Sequence, residues 1–501
     1  MPAVLPNETK NPPAPFYFRA GLGLIALATI FHFAYSTHLE LVGDEAYYWL
    51  WSRHPDICYL DKGPMVAWLI WIGTALFGQT VFGVRFFAVL LAGGTGLAIL
   101  LLARQLFSER AAFWAIVIAT VVPLFAVGAS LMTIDTVYVF FWSWAALAFW
   151  WARNQQRLAP WIITGALVGL GLLSKYTAAI ELISFAAFCL WDRPSRVHLR
   201  RGTFWIMTAT ALAFLLPAIV WNQREHWPTS DWLLHRGALD SSSGGSAFHP
   251  GYVLAFLGEQ AGVVSPLIFG GLLFLFLRPS LLRGAQPATA FAAALFLPLF
   301  GLYFFLSAHY MGPPNWTAAA YLGGIILLAA KWLDLAAAQR WARWLALSAL
   351  LLASLETVIL LDTRWLNLSH RADPLDRARG SRNLAATVAR SQVATGARFV
   401  IADNYMTAAL LTFYLPGQAE AFVPITKRPL NQLELWPNYD QKYPTGDALI
   451  IGKRANLAGS LRRSFPQIVP LGIVRATDGQ RAVGSYHLFL GKRRAAAETP
   501  R

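Results

Sequence analysis

Charge is scarce in this chain. Asp, Glu, Lys and Arg make up 13% of its 501 residues, well below the roughly 25% of soluble globular domains. Apolar residues reach 56% and the mean hydropathy is +0.46, which excludes a soluble class and points to a polytopic membrane protein. Acids are the scarcer sign, with 26 Asp and Glu against 41 Lys and Arg. The net charge of +15 does not indicate nucleic acid, because most of the excess Lys and Arg sits in short loops between apolar runs, where it sets topology. Cysteine is nearly absent. Cys58 falls in a loop and Cys189 inside an apolar run, so no pairing is expected and the redox compartment is not revealed. No HExxH, CxxC pair or Walker loop is present, which leaves zinc-protease and ATP-driven readings without support. Met1–Pro15 is polar and Pro-rich without a cleavage pattern, so the run Ala20–Tyr35 is expected to act as an uncleaved anchor. No internal repeat is visible.

What is present is a series of apolar runs near the spanning length of about 17–25 residues. They are 18–37, 83–106, 111–130, 133–152, 160–174, 176–191, 203–221, 252–277, 288–307, 315–333 and 343–361. The short runs 160–174 and 176–191 meet at Ser174-Lys175-Tyr176 and read as two half-length helices, since one long helix would bury Lys175 in hydrocarbon. Met65–Phe77 is apolar but too short to span and reads as an interfacial helix. Fifteen Lys and Arg fall on one side of this arrangement. Arg53, Lys62, Arg85, Lys175, Arg224 and Arg236 fall on the other. The richer side is therefore cytoplasmic, which puts the N-terminus inside and the C-terminal region outside. The outer loop Asn222–Gly251 carries His226, His235, His249 and the tract Ser241–Ser246, which reads as a flexible lid. Beyond Asp362 the runs shorten. A helix over 381–395 and strands over 398–402, 448–452 and 485–490 are predicted, with turns at Pro416-Gly417 and Asp478-Gly479. The expected organisation is a tail, 1–17, a helical membrane domain, 18–361, and a small extracytoplasmic α/β domain, 362–501.

The densest chemistry lies between the first two apolar segments, at 43–63. Asp44, Glu45, Asp56, Asp61, Arg53 and Lys62 crowd there among Tyr47, Tyr48, Trp49, Trp51 and Tyr59. Acids and a lysine at a lipid boundary, flanked by amphipathic aromatics, suit a polar head group whose tail stays in the bilayer. Asp44-Glu45 reads either as a base or metal ligand with an orienting neighbour, or as an acidic pair favouring a helix N-terminus. Lys62, beside Asp61, reads as a phosphate contact or as a surface ion pair. Gly63-Pro64 then turns into the next helix. Asp135 sits where two runs meet with almost no loop, and reads as a cavity acid or a helix cap. Lys175 reads as a phosphate partner or a snorkelling lysine. His309, in the turn leading to Asn315-Trp316, reads as a ligand or as an ordinary loop histidine.

Together these segments resemble the membrane glycosyltransferases of families 39 and 83. That superfamily contains protein O-mannosyltransferases, the lipid A aminoarabinose transferase and rhizobial galacturonosyltransferases. The likeness is carried by Gly43-Asp44-Glu45-Ala46-Tyr47-Tyr48-Trp49, Tyr59-Leu60-Asp61-Lys62-Gly63-Pro64-Met65, Met132-Thr133-Ile134-Asp135, Gly169–Thr177 and Pro314-Asn315-Trp316-Thr317. It covers roughly residues 18–335. The resemblance implies a GT-C fold and a polyprenyl-phosphate sugar donor, and the apolar runs above give it about eleven spans. It makes Asp44, Glu45 and Asp135 the catalytic acids and Lys62 and Lys175 the donor-phosphate contacts. Tyr59, Asp61, His309, Asn315 and Trp316 become substrate-binding residues. Position 61 is Asp where the aminoarabinose enzyme has Glu, so no metal site is carried over and a divalent metal stays open.

The expectation is an inverting glycosyltransferase of the plasma membrane. It moves a sugar to an envelope lipid, glycan or protein on the outer face, with membrane lipids as surroundings and no nucleic acid. The rival class is a transporter or flippase of lipid-linked sugars. That reading expects polar residues through the bilayer and often inverted repeats. The acids here gather at one face, which favours the enzyme.

Overall fold

The computed structural model describes residues 14–155, 157–230, 248–278, 286–370, 372–426 and 428–493. The Ser241–Ser246 tract, His235, Arg236, Arg283 and most of the N-terminal tail lie outside the described residues. Helix α1 (Ala14–Tyr35) leads into α2 (Gly43–Ser52), α3 (Met65–Phe77) and α4 (Val81–Leu106). Thr80 caps α4, its Oγ1 accepting from the Gly83 N–H at 3.0 Å, and Ser108 caps α5 (Glu109–Val121) in the same way at Ala111. The predicted run 111–130 is broken, because Pro123 has no N–H to donate and opens α6 (Pro123–Gly128) instead. Then come α7 (Ile134–Ala152) and α8 (Ala159–Leu172). A turn at Lys175 and a 3-10 turn, Tyr176–Ala179, separate α8 from helix Ile180–Trp191, so the two half-length helices are as read.

Helices overlie every predicted run, but not all are single spans. Among the described residues six helices are long and apolar enough to cross a membrane, or seven if the bent pair Pro250–Val264 and Pro266–Leu277 counts as one. That pair, expected as one helix over 252–277, turns by 119°. Pro266 cannot donate to the preceding turn, and Ser265 takes up the bend at φ 79°. The exposed apolar side of α3, with Trp71, Leu76 and Phe77, lies opposite the side it buries on α4.

The last long helix, Arg340–Leu361, gives way to a five-stranded sheet in the order β2-β1-β3-β5-β4. Its strands are β1 (Phe399–Ala402), β2 (Ala421–Phe422), β3 (Ala448–Gly452), β4 (Gln467–Asp478) and β5 (Arg481–Lys492). β1 is parallel to β2 and β3, while β5 is antiparallel to β3 and β4. The Asp478-Gly479 turn closes the β4–β5 hairpin, with Gly479 at φ 59°. Helix Ser381–Thr395 matches its prediction. β2 and β4 were not anticipated. β2 has two residues, and β4 is an edge strand interrupted by Pro470 and Gly472, where its register shifts.

This sheet does not stand apart from the helices. Leu41, Tyr47, Trp49, Val66, Val84, Met132 and Val137 share one buried cluster with Leu384, Val400, Ala408, Leu411 and Val483. α2 is sandwiched between α3 and helix Tyr405–Tyr414. A side chain at Gly43 would strike Met406 at 2.6 Å. Polar clips reinforce the seam: Tyr47 Oη accepts from Gln432 N–H at 2.7 Å, Leu60 N–H donates to Gln432 Oε1 at 2.7 Å, and Leu41 N–H donates to Tyr414 Oη at 2.9 Å.

Candidate active site

α2 starts at Gly43 because Glu45, its third residue, folds back to accept the Val42 N–H at 3.1 Å. The same carboxylate is gripped by Arg85 of α4, through Nε at 2.8 Å and Nη2 at 2.6 Å, and by the Met132 N–H at 2.9 Å. Arg85 spends its remaining donors on the carbonyls of Ser36, Leu39 and Glu40. Glu45 is 0% and Arg85 1% exposed. Glu45 therefore has no lone pair left for a substrate. It holds together the start of α2, the loop before it and the entry to α7, and it aims its neighbour.

That neighbour, Asp44, points the other way, about 100° round the helix. It is half-buried and lines a cavity of about 1460 Å³. Among the described residues no group hydrogen-bonds its carboxylate. Burial pushes its pKa up from the ordinary value. Arg377 and Lys62 pull it back, while Asp135 and Asp61 push it further.

Asp135 lines the same cavity. It is the second residue of α7 and caps nothing. Its Oδ1 accepts from Lys175 Nζ at 2.7 Å and its Oδ2 from Asn315 Nδ2 at 2.6 Å. Ser174 Oγ donates to the Ile134 carbonyl at 2.8 Å, which ties the α8 break to the start of α7 and presents Lys175 to Asp135. The ammonium also lies 5.7 Å from the Tyr138 ring centre and 5.6 Å from that of Trp316. Asp135, Lys175, Asn315 and Trp316, 181 positions apart at the extremes, thus form one unit. Lys175 is 8% exposed and already neutralised, so it stands behind Asp135 and not in the cavity wall.

Lys62 Nζ lies 3.1 Å from Asp61 Oδ2, with side chains 22% and 15% exposed. Their turn is pressed onto the α8 break, since a side chain on Gly63 would meet the Leu173 carbonyl at 2.0 Å. Two of the expected substrate contacts do not line the cavity. Tyr59 is 0% exposed, stacks on Trp51 with ring centres 4.4 Å apart and reaches the Trp51 and His54 carbonyls, so it props the loop from inside. His309 is exposed and away from the cavity lining. Sequence reading missed Arg85, and it missed His370, Arg377, Tyr405 and Lys453, which line the cavity from the C-terminal part. Among the described residues no three His, Cys, Asp or Glu side chains are grouped to hold a metal ion, so no step is routed through one.

The cavity lining is of two kinds. Helices α1, α4, α5 and α6 contribute mainly apolar residues, among them Ile25, Val89, Ala92, Gly93, Ile116 and Leu124. Asp44, Asp135, Asn315, Arg377 and Lys453 contribute polar and charged groups. A lining that combines an apolar wall with a few polar groups suits a lipid-linked polar substrate.

Residues 61–221 match the model of the dolichyl-phosphate-mannose-protein mannosyltransferase family. The lipid A galacturonosyltransferase RgtD of Rhizobium johnstonii is 26% identical over 76% of this chain and 80% of its own length. An undecaprenyl phosphate-alpha-4-amino-4-deoxy-L-arabinose arabinosyl transferase of Pseudomonas fluorescens is 28% identical over 37% of this chain and 36% of its own. The crystal structure of ArnT from Cupriavidus metallidurans bound to undecaprenyl phosphate superposes with a TM-score of 0.63 at 16% identity, covering 95% of this chain and 98% of that one. The chain thus shares the fold of the ArnT structures, with several apolar helices long enough to cross a membrane, and its sequence is similar to membrane glycosyltransferases of families 39 and 83.

Proposed function

We propose that the chain transfers a sugar from a polyprenyl phosphate to a lipid A-like envelope lipid at the outer face of the plasma membrane. The observation that carries this reading is Asp44, a carboxylate without a hydrogen-bond partner among the described residues, lining a cavity to which α1, α4, α5 and α6 contribute mainly apolar residues. The prenyl tail takes the apolar lining and the head group meets Asp44. If the acceptor is a hydroxyl, its oxygen attacks the anomeric carbon as Asp44 takes its proton, a contribution of about 10²–10⁴-fold. The bond to the phosphate oxygen breaks and that oxygen keeps the electron pair. If the acceptor is a phosphate, Asp44 positions it and no base is needed.

Lys62 is the contact for the departing phosphate. Its side chain is 22% exposed, against 9% for Lys175, so of the two lysines it is the one a phosphate can reach. Lys175 acts through Asp135, whose orientation it holds. With the sheet on the outer side and eleven spans, the organisation is a tail at 1–17, a membrane domain at 18–361 and an extracytoplasmic region at 362–501. The test is reconstitution. Purified protein in liposomes, given a polyprenyl-phosphate-linked sugar and lipid A, should yield an acceptor heavier by one sugar in mass spectra, and the Asp44→Asn variant should not. Vectorial movement of the donor without an acceptor product would favour the transporter.

A further inference from the structure

The acids and bases near Asp44 on α2, on α7 and in the turns at 61–62 and 175 are answered by neighbours: Glu45 by Arg85, Asp135 by Lys175, Lys62 by Asp61. The other side of the cavity differs. Arg377 lines it, is exposed, and among the described residues has no carboxylate or carbonyl holding its guanidinium. Its charge is the strongest of those acting on Asp44.

The backbone carrying Arg377 is not loose. Arg379, two residues on, is buried and donates to Asp362 Oδ1 at 2.9 Å and to Asp373 Oδ2 and Thr363 Oγ1, each at 3.2 Å. Arg481 of β5 reaches Asp373 at 2.9 Å, Asp376 at 3.2 Å and the Leu368 carbonyl at 2.9 Å. The Glu40 N–H donates to the Ala378 carbonyl at 3.0 Å, and the Glu40 carboxylate accepts from Ser381 N–H at 2.6 Å. Glu40 belongs to the loop whose carbonyls Arg85 holds, four residues before Asp44. Arg377 is therefore mounted on the same rigid frame as Asp44. A planar guanidinium with free donors, fixed over a cavity that takes a polar head group, is built for bidentate contact with an oxyanion.

We propose that Arg377 is the anion-recognition residue of this transferase, receiving a carboxylate or phosphate oxyanion on the reacting groups beside Asp44. The inference rests on the proposed transfer reaction. Two sources share this chemistry: a carboxylate on the transferred sugar, as in a uronic acid, or a phosphate on the acceptor lipid. Donor phosphate is the less suited third source, because Lys62 is its proposed contact.

The experiment has a turnover arm and a binding arm. In the first, wild type, Arg377→Ala and Arg377→Lys are assayed with polyprenyl-phosphate galacturonic acid and polyprenyl-phosphate galactose, each with phosphorylated and dephosphorylated lipid A. Arg377→Ala should raise KM about tenfold to a hundredfold for one anionic partner, with kcat little changed, and Arg377→Lys should recover part of the loss. Loss confined to the uronic donor names the sugar. Loss confined to the phosphorylated acceptor names the lipid. Equal loss on charged and neutral pairs, or no loss, overturns the proposal. In the second arm, galacturonate and inorganic phosphate are titrated into detergent-solubilised wild type and Arg377→Ala. One of them should bind wild type and weaken at least tenfold in the variant. Equal binding to both proteins, or to neither, overturns the proposal even if no transfer is detected. Absent transfer with Arg377-dependent anion binding would instead sink the proposed reaction alone.

Discussion

Glu45 and Arg85 form a buried ion pair with two hydrogen bonds of 2.8 and 2.6 Å. The guanidinium also donates to three carbonyls of the loop 36–40, so all five of its N–H groups are used. The pair explains why two adjacent acids have separate tasks. One is consumed in fixing the backbone, and the other is left facing the cavity.

Breaking that pair should destabilise the protein. Removing one partner of a buried pair leaves an uncompensated charge and costs about 3–5 kcal/mol. Glu45→Gln and Arg85→Ala should both lower the thermal midpoint in detergent and reduce the folded yield. Pairing Glu45→Gln with Arg85→Met should recover only part of the loss, because the carbonyls of Ser36, Leu39 and Glu40 would still lack donors. Unchanged midpoints in both single variants would contradict the structural role given to Glu45.

Asp44 should behave oppositely. Its folded pKa is raised, chiefly by burial, so the native state holds its proton to higher pH than the unfolded chain. In the window between the ordinary carboxylate value and the raised one, the native state binds more protons, so its stability falls as pH rises. Transfer to a hydroxyl acceptor, which needs the carboxylate, should rise through that same window. Asp44→Asn should abolish transfer, keep the midpoint at neutral pH at or above wild type, and flatten this part of the stability profile. A midpoint well below wild type would move Asp44 into the structural class of Glu45.

How far all this could be read beforehand varied with the kind of signal. α3 was legible to the residue, because Pro64 and Gly78 bracket an unbroken apolar run. Asp44 and Asp135 stood out because an acid at the edge of an apolar run needs a reason, whereas Asn315 entered only through the resemblance. Arg85 did not, since one more basic residue at a loop edge looks like topology. Its partner lies 40 positions away and nothing local marks the pair. Arg377 was hidden among the many charges of 362–382, which only the fold sorts into answered and unanswered. The direction of Tyr59 was not legible for a related reason: an aromatic beside a polar motif can face either way, and here it faces inward.

The orientation can be tested without substrate. A reporter active only outside the cytoplasm, fused after Leu490 at the end of the sheet, should be active. Placed near Arg196, amid Arg193, Arg200 and Arg201, it should be silent. Activity at both positions would contradict the eleven-span arrangement, in which the bent pair 250–277 counts as one crossing.

The last prediction concerns Asp135 and Lys175. Their pair is 2.7 Å long, nearly buried, and shared with Asn315. If Lys175 acts by holding Asp135, then Lys175→Ala frees a carboxylate to swing away, and Asp135→Asn leaves a buried ammonium without a partner. Each should cut kcat severely. The Asp135→Asn/Lys175→Ala double variant should be little worse than either alone, because residues that act as a unit are not additive. A lysine gripping the donor phosphate by itself would give another pattern. Lys175→Ala would then raise KM for the polyprenyl-phosphate sugar, and the double variant would show the product of the two losses. The same cycle run on Lys62 should give that second pattern, since Lys62 is the more exposed of the two lysines. Initial rates at saturating and limiting donor separate the two cases. Multiplicative losses for Asp135 and Lys175 would return Lys175 to the phosphate, whereas a shared loss assigns it to Asp135.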